Sequence, residues 1–115
     1  MVKPLGLGGF NMSWCFLDEL YRVIESRRDK PVEGSYTSSL MSKGLEAVID
    51  KVVEECMELI ESARGGSKSE IVHEASDLIY HTLVLLAYLQ IPSGMVPEEL
   101  IRRRRRGHGG RRKPG

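Results

Sequence analysis

The sequence predicts an all-α fold, an antiparallel helical bundle, and three observations carry that expectation. Apolar residues recur at helical spacing through most of the chain, and nothing alternates with period two for long. Aromatic residues make up only 6% of the chain while apolar residues reach 41%, mostly Leu, Ile, Val, Ala and Met, a mixture that suits packed helices better than a β-sandwich. Glycine and proline cluster between the helical stretches, where they mark loops. At 115 residues there is room for one domain, small enough that oligomerisation would help it bury surface.

Taken in order, residues 1–12 (MVKPLGLGGFNM) read as a flexible lead-in, rich in glycine with one proline. A helical domain is expected over 13–104. Ser13 can cap a first helix to about Arg28, with Leu17, Leu20, Tyr21 and Ile24 on its apolar stripe. Pro31 and Gly34 mark a loop, and a short helical piece over 38–43 ends at Gly44. A second long helix covers about 45–64, and the Gly65–Gly66 pair can supply a left-handed C-cap. Its apolar positions Leu45, Ile49, Val52, Val53, Cys56, Ile60 and Ala63 keep to one face, so Cys56 reads as a buried small hydrophobe. Ser67 or Ser69 caps a third helix to about Gln90, which Pro92 and Gly94 end. A short fourth helix follows, with Pro97 near its first turn. Two long helices per chain are few for a closed bundle, so a homodimer that completes the core across its interface is expected.

Charge is unevenly divided. Residues 1–101 carry nine Lys/Arg and all sixteen Asp/Glu, a net of −7, whereas residues 102–115 carry eight basic residues and no acid. The Arg/Gly-rich tail from about residue 105 cannot bury a core and is expected to be disordered. Its charge favours electrostatic attraction to anions or to the acidic body over nucleic-acid binding. Cys15 and Cys56 form no zinc-type or CxxC spacing, and no disulfide is indicated. With no signal peptide visible and no apolar run long enough to span a bilayer, the default expectation is a soluble cytoplasmic protein with no membrane contact.

Acids stand where a core helix should be apolar. In the third helix Glu70, Glu74, Asp77 and His81 follow at spacings of four, three and four, which places them on one stripe. The same helix then runs LIYHTLVLLAYL, apolar nearly all round, as a buried helix does. The second helix carries Glu54, Glu55, Glu58 and Glu61 within KVVEECMELIE. At about 100° per residue, Glu54 and Glu58 lie opposite the apolar stripe and Glu55 on its flank. A short Gly/Ser turn between two antiparallel helices would bring the two acid sets together. Carboxylates crowded in this way share protons or hold cations. An all-oxygen donor set suits Mg²⁺ first and Mn²⁺ second. A run such as EECMELIE alone is better explained as a solvated face; the acids inside the apolar third helix are what reverse that reading.

The pairing of EExxE with ExxD on consecutive helices resembles the all-α NTP pyrophosphohydrolases, the MazG-type superfamily. Over about residues 16–104, the segments FLDELYRVIESRRDKPVEGSYTSSLMSKG, KVVEECMEL and HEASDLIYHTLVLLAYL are similar, in order and spacing, to the phosphoribosyl-ATP pyrophosphohydrolase family. That resemblance implies Mg²⁺-dependent hydrolysis of the α–β phosphoanhydride of phosphoribosyl-ATP, giving phosphoribosyl-AMP and pyrophosphate in histidine biosynthesis. By position it implies Glu55, Glu58, Glu74 and Asp77 as metal ligands, and Glu54 as holder of a further ion or director of the attacking water. Ser35, Tyr36 and Thr37 offer hydroxyls and N–H groups to phosphate before a short helix, although a helix cap with a packed tyrosine accounts for them too. Arg27, Lys43 and Lys51 supply positive charge, Tyr80 lies one turn beyond the acids, and His81 is expected to hydrogen-bond Asp77 in support. Residues 1–12 are an addition that the resemblance does not explain. Two further readings stand beside this one. A house-cleaning nucleoside triphosphate pyrophosphohydrolase of the same superfamily is opposed by the GSYT and LIYH segments. A non-enzymatic, RNA-binding helical module leaves the buried acids without a purpose.

Overall fold

In the computed structural model, which describes residues 7–107, the chain folds into α1 (Leu7–Asp29), α2 (Tyr36–Ser42), α3 (Leu45–Gly65), α4 (Lys68–Tyr88) and α5 (Met95–Arg105). No strand occurs among the described residues, in agreement with the all-α expectation. Residues 1–6 of the lead-in and 108–115 of the basic tail lie outside the described residues.

α3 and α4 pack along their length and form the long antiparallel pair on which α1 and α2 rest. Local chemistry makes the turn between them. The Ser67 hydroxyl accepts from the Glu70 N–H at 3.2 Å, and the Glu70 carboxylate accepts from the Ser67 N–H at 2.8 Å, a reciprocal cap at the start of α4. Glu70, placed by spacing on the acid stripe, is therefore committed to the cap. Gly66 is extended (φ −88°), so the expected left-handed C-cap is corrected; its glycine answers crowding instead. A Cβ there would stand 2.8 Å from the Ser62 carbonyl oxygen and 2.9 Å from Glu70 Oε1.

α1 begins at Leu7, ahead of the expected Ser13. No proline follows Pro4 in this stretch, and glycines lower helix propensity by about 1 kcal/mol each without blocking the i→i−4 bond. From α1, Tyr21 and Ile24 enter the core, and the Tyr21 hydroxyl donates to the Ile91 carbonyl. Arg28 Nη1 donates to the Ala87 carbonyl at 2.7 Å, placing a cation on the C-terminal turn of α4. That turn closes with Gln90 left-handed (φ 60°) and with Ile91 N–H bonded to the Leu86 carbonyl at 3.0 Å. α1 is thus tied to the end of α4 at two points.

The core lies where the four helices meet: Ile24, Val48 and Val84 are fully buried, with Tyr21, Leu40, Met41 and Ala87 around them. α3 turns Val48 and Glu55 inward. Its long apolar stripe, about a quarter turn away on the helical wheel, faces outward: Val53 and Ile60 are 55% and 44% exposed, Cys56 is exposed as well, and Met57 beside them is 63% exposed. The expectation of a buried Cys56 is corrected; the acid-bearing face, not the apolar one, meets α4. α5 packs on none of the other helices. It runs to Arg105, where the basic tail is expected to begin, and Glu99 pairs with both Arg102 and Arg103 one turn on.

The crowding at Gly66 sets a test. Gly66→Ala should lower unfolding stability by about 1–3 kcal/mol, the usual cost of overpacking against an unyielding neighbour. Gly65→Ala, where a Cβ meets nothing within 4 Å, should leave stability unchanged or slightly raised. Urea denaturation of both variants reads the difference, and equal effects would refute the steric account.

Candidate functional site

Two antiparallel helices with the same rise bring positions equally far from their turn level with one another. Glu58 and Glu74 are equidistant from Gly66; so are Glu55 and Asp77, Lys51 and His81, and the core pair Val48 and Val84. The acids occupy the half of the seam nearer the turn. On α3, ligand atoms of Glu54, Glu55 and Glu58 lie within 4.8 Å of one another, as do those of His73, Glu74 and Asp77 on α4. The two sets interact across the seam. Burial, and then the negative charges of Glu55, Glu74 and Glu54, raise the Glu58 carboxyl above the ordinary glutamate range.

Glu55 is only 5% exposed, and its Oε2 lies 3.4 Å from Lys51 Nζ, which stands equally close to Glu54 Oε2. Glu55 Oε1 and Glu74 Oε1 are buried with no hydrogen-bond partner. An orphaned buried carboxylate oxygen is expensive, and one lysine does not balance this many acids. The residues fit a divalent metal: the carboxylate donors are oxygens, they lie close together within each set, and two of them lack any other partner. His73, which the sequence reading did not single out, sits with its Nε2 3.4 Å from Asp77 Oδ2; the i, i+4 spacing was the available signal.

Beside the acids, aromatic side chains and hydroxyls close the site. His81, 6% exposed, bonds through Nδ1 to the Asp77 backbone carbonyl at 2.8 Å, not to its carboxylate. A carbonyl only accepts, so Nδ1 carries a proton, and Nε2 is hydrogen-bonded with the Tyr36 hydroxyl, 2.8 Å away. Tyr36 and Tyr80 both meet the His81 ring edge-on, with centroids 5.7 and 5.4 Å distant. Thr37, 4% exposed, bonds the Tyr80 hydroxyl. Burial, with the charge of Glu55 added and that of Lys51 opposing, raises the Tyr36 hydroxyl above the ordinary tyrosine value, so it remains a donor. Ser35 accepts from the Ser38 N–H at 3.2 Å and is the cap of α2.

A cavity of about 450 Å³ is bordered by Tyr36. Val23, Ile24 and Val32 give it an apolar wall, and Arg27 and Glu33 give it charge; Ser35, Tyr36, Thr37 and Tyr80 complete the lining. Of the expected substrate residues, Arg27, Ser35, Tyr36, Thr37 and Tyr80 are brought together here. Lys51 stands instead among the acids, and the exposed Lys43 caps the end of α2 away from the cavity lining. Glu33 comes from the loop after α1, and the valine wall from that loop and α1; the sequence reading singled out none of these residues.

Residues 17–104 match the phosphoribosyl-ATP pyrophosphohydrolase family. The phosphoribosyl-ATP pyrophosphatase of Pelobacter propionicus is 51% identical over 87 residues, covering 76% of this chain and 81% of that protein. The enzyme of the same name from Methanocella arvoryzae is 48% identical over 91 residues, 77% of this chain and 96% of its own length. That from Trichlorobacter lovleyi is 45% identical over 93 residues, 81% and 86% of the two chains. With its helices, its facing acid sets and this extent of similarity in accord, the chain belongs to the phosphoribosyl-ATP pyrophosphohydrolase family.

Proposed function

We propose that the protein hydrolyses phosphoribosyl-ATP to phosphoribosyl-AMP and pyrophosphate, the second step of histidine biosynthesis, using Mg²⁺ held by the α3–α4 acids. The observation that carries this reading is the pair of buried, partnerless oxygens of Glu55 and Glu74 on facing helices of a chain in this family. Glu55, Glu58, Glu74 and Asp77 would hold the ion. When bound, Mg²⁺ screens the polyphosphate charge and polarises the phosphoanhydride. Glu54 is exposed and tied only to Lys51, so its carboxylate is free to accept the proton of the water that attacks the α–β anhydride. The bond from water to phosphorus forms as the bridging bond breaks, and pyrophosphate leaves. His81 fixes the α4 turn that bears Asp77, and the cavity beside Tyr36 receives the nucleotide. No helix among the described residues is long and apolar enough to cross a membrane. A biosynthetic enzyme of this kind would work in the cytoplasm.

A second copy of the chain accounts for the outward apolar faces. Val53, Met57 and Ile60 of α3 share one side with Cys56, and Val72 of α4 is 64% exposed. Faces of this kind on a small domain mark association. The functional unit is a homodimer that covers them.

Pyrophosphate release from phosphoribosyl-ATP should require Mg²⁺ and exceed release from ordinary or oxidised nucleoside triphosphates. Glu74→Gln or Glu55→Gln should lower kcat/KM more than about a hundredfold, beyond the loss caused by an outer partner of a metal ligand. Preference for ordinary or oxidised triphosphates would assign the house-cleaning role, and no turnover of any would remove the enzymatic reading.

The raised Glu58 carboxyl gives a pH dependence. A proton holds the metal-free site more tightly than it holds a glutamate of ordinary pKa 4.5. Mg²⁺ must displace that proton, so binding should weaken as pH falls toward that value, beginning above it, and binding in that pH range should release protons. Calorimetric titration in two buffers of different ionisation enthalpy measures the release; its absence would count against a carboxylate-shared proton. Finally, light scattering should return twice the mass of one chain, and Met57→Lys with Ile60→Glu should return a single chain. A wild-type monomer would sink the dimer.

A further inference from the structure

We propose that the cavity beside Tyr36 reads the modified base of the substrate: Glu33 faces the charge of an adenine alkylated at N1, and Arg27 takes the monophosphate at the end of the arm on that nitrogen. The inference rests on the functional reading above and names the residues that would separate this substrate from ATP. Alkylation at N1 makes adenine a much stronger base, protonated near neutral pH, so the ring becomes a flat, delocalised cation. The arm ends in a phosphate dianion. A reader of these two features needs one anion and one cation on an apolar and aromatic slot.

The cavity holds that combination. Val23, Val32 and Tyr36, each about half exposed, line an open slot, and Glu33 and Arg27 are its charges. The remaining polar groups are committed within the protein: Ser35 caps α2, Thr37 bonds Tyr80, and Tyr36 bonds His81. Neither Glu33 nor Arg27 has an ionic partner among the described residues. The Arg27 guanidinium reaches only the Ser26 hydroxyl, at 3.4 Å. Its neighbours Arg22 and Arg28 are each bonded to an aspartate. A volume of about 450 Å³ is in the range of small-molecule sites and leaves room for a ribosyl phosphate beside the base. Tyr36 is the shared wall, since its hydroxyl bonds His81, which in turn holds the Asp77 carbonyl. A base seated here can therefore extend its triphosphate to the acids.

The experiment uses the full-length protein with Mg²⁺ and three nucleotides: phosphoribosyl-ATP, N1-methyl-ATP, which has the charge but no arm, and ATP, which has neither. In the wild type, N1-methyl-ATP should compete against phosphoribosyl-ATP hydrolysis about tenfold more tightly than ATP does, the scale of one charge-assisted contact. Glu33→Gln should abolish that advantage. Arg27→Gln should raise KM for phosphoribosyl-ATP about tenfold or more while leaving competition by N1-methyl-ATP unchanged. Glu33 is exposed and Arg27 half-buried, so neither change removes core packing. Equal competition by the two analogues in the wild type, a preference that survives Glu33→Gln, or an Arg27→Gln loss shared by all three nucleotides would each overturn the proposal. If the wild type releases no pyrophosphate from phosphoribosyl-ATP, the functional reading fails separately. Calorimetric binding of the same nucleotides then decides the cavity, with the same order upholding it and equal affinities refuting it.

Discussion

Carboxylates inside a helix–helix seam are the constraint on which the rest of this structure depends. A seam between two long antiparallel helices would ordinarily be apolar, because that is where burial gives the most. Here Glu55 is almost completely buried on α3 and Glu74 has a buried oxygen on α4, both with an unsatisfied acceptor. Apolar packing has to be found elsewhere, and it is found at the far end of the same seam. Val48 and Val84 close that end and recruit Ile24, Leu40 and Met41 from α1 and α2. One helix pair is thus divided into an electrostatic half by the turn and a packed half away from it.

The packed half positions the chemistry. α1 is tied to the end of α4 through Tyr21 and Arg28, and this holds Ile24 in the core and Arg27 beside the cavity. α2 is short, capped by Ser35, and carries Tyr36 and Thr37 toward α4, where they meet His81 and Tyr80. Each hydroxyl in that cluster has an internal partner, so the cluster acts as a scaffold of fixed geometry between acids and cavity. The division of labour follows: metal-fitting oxygens come from α3 and α4, while the cavity wall comes chiefly from α1 and the loop after it.

The orientation of α3 shows where helical periodicity misleads. Its apolar stripe is regular, and on a wheel it is the obvious inward face. Glu55 turns inward instead, and Val53, Cys56, Met57 and Ile60 turn out. Periodicity states which residues share a face, not what covers that face. The most apolar side of α3 faces outward while the side bearing Glu55 faces its own chain.

Much of this protein was legible in its residues alone. Helix class, the lengths of α3 and α4, the turn between them and the acid spacings follow from local propensity, capping and period, all of which act within a few residues along the chain. The grouping of Ser35, Tyr36, Thr37 and Tyr80 with Arg27 was anticipated only through resemblance. Tertiary structure alone decided the remainder. Glu70 became a cap while Glu74 kept a partnerless oxygen; His81 chose the Asp77 carbonyl over its carboxylate; Lys51 went to the acids and Glu33 to the cavity. These outcomes depend on distances between segments remote in sequence, set to fractions of an ångström by how the core packs, and hydrogen bonding and desolvation respond to those distances rather than to residue type.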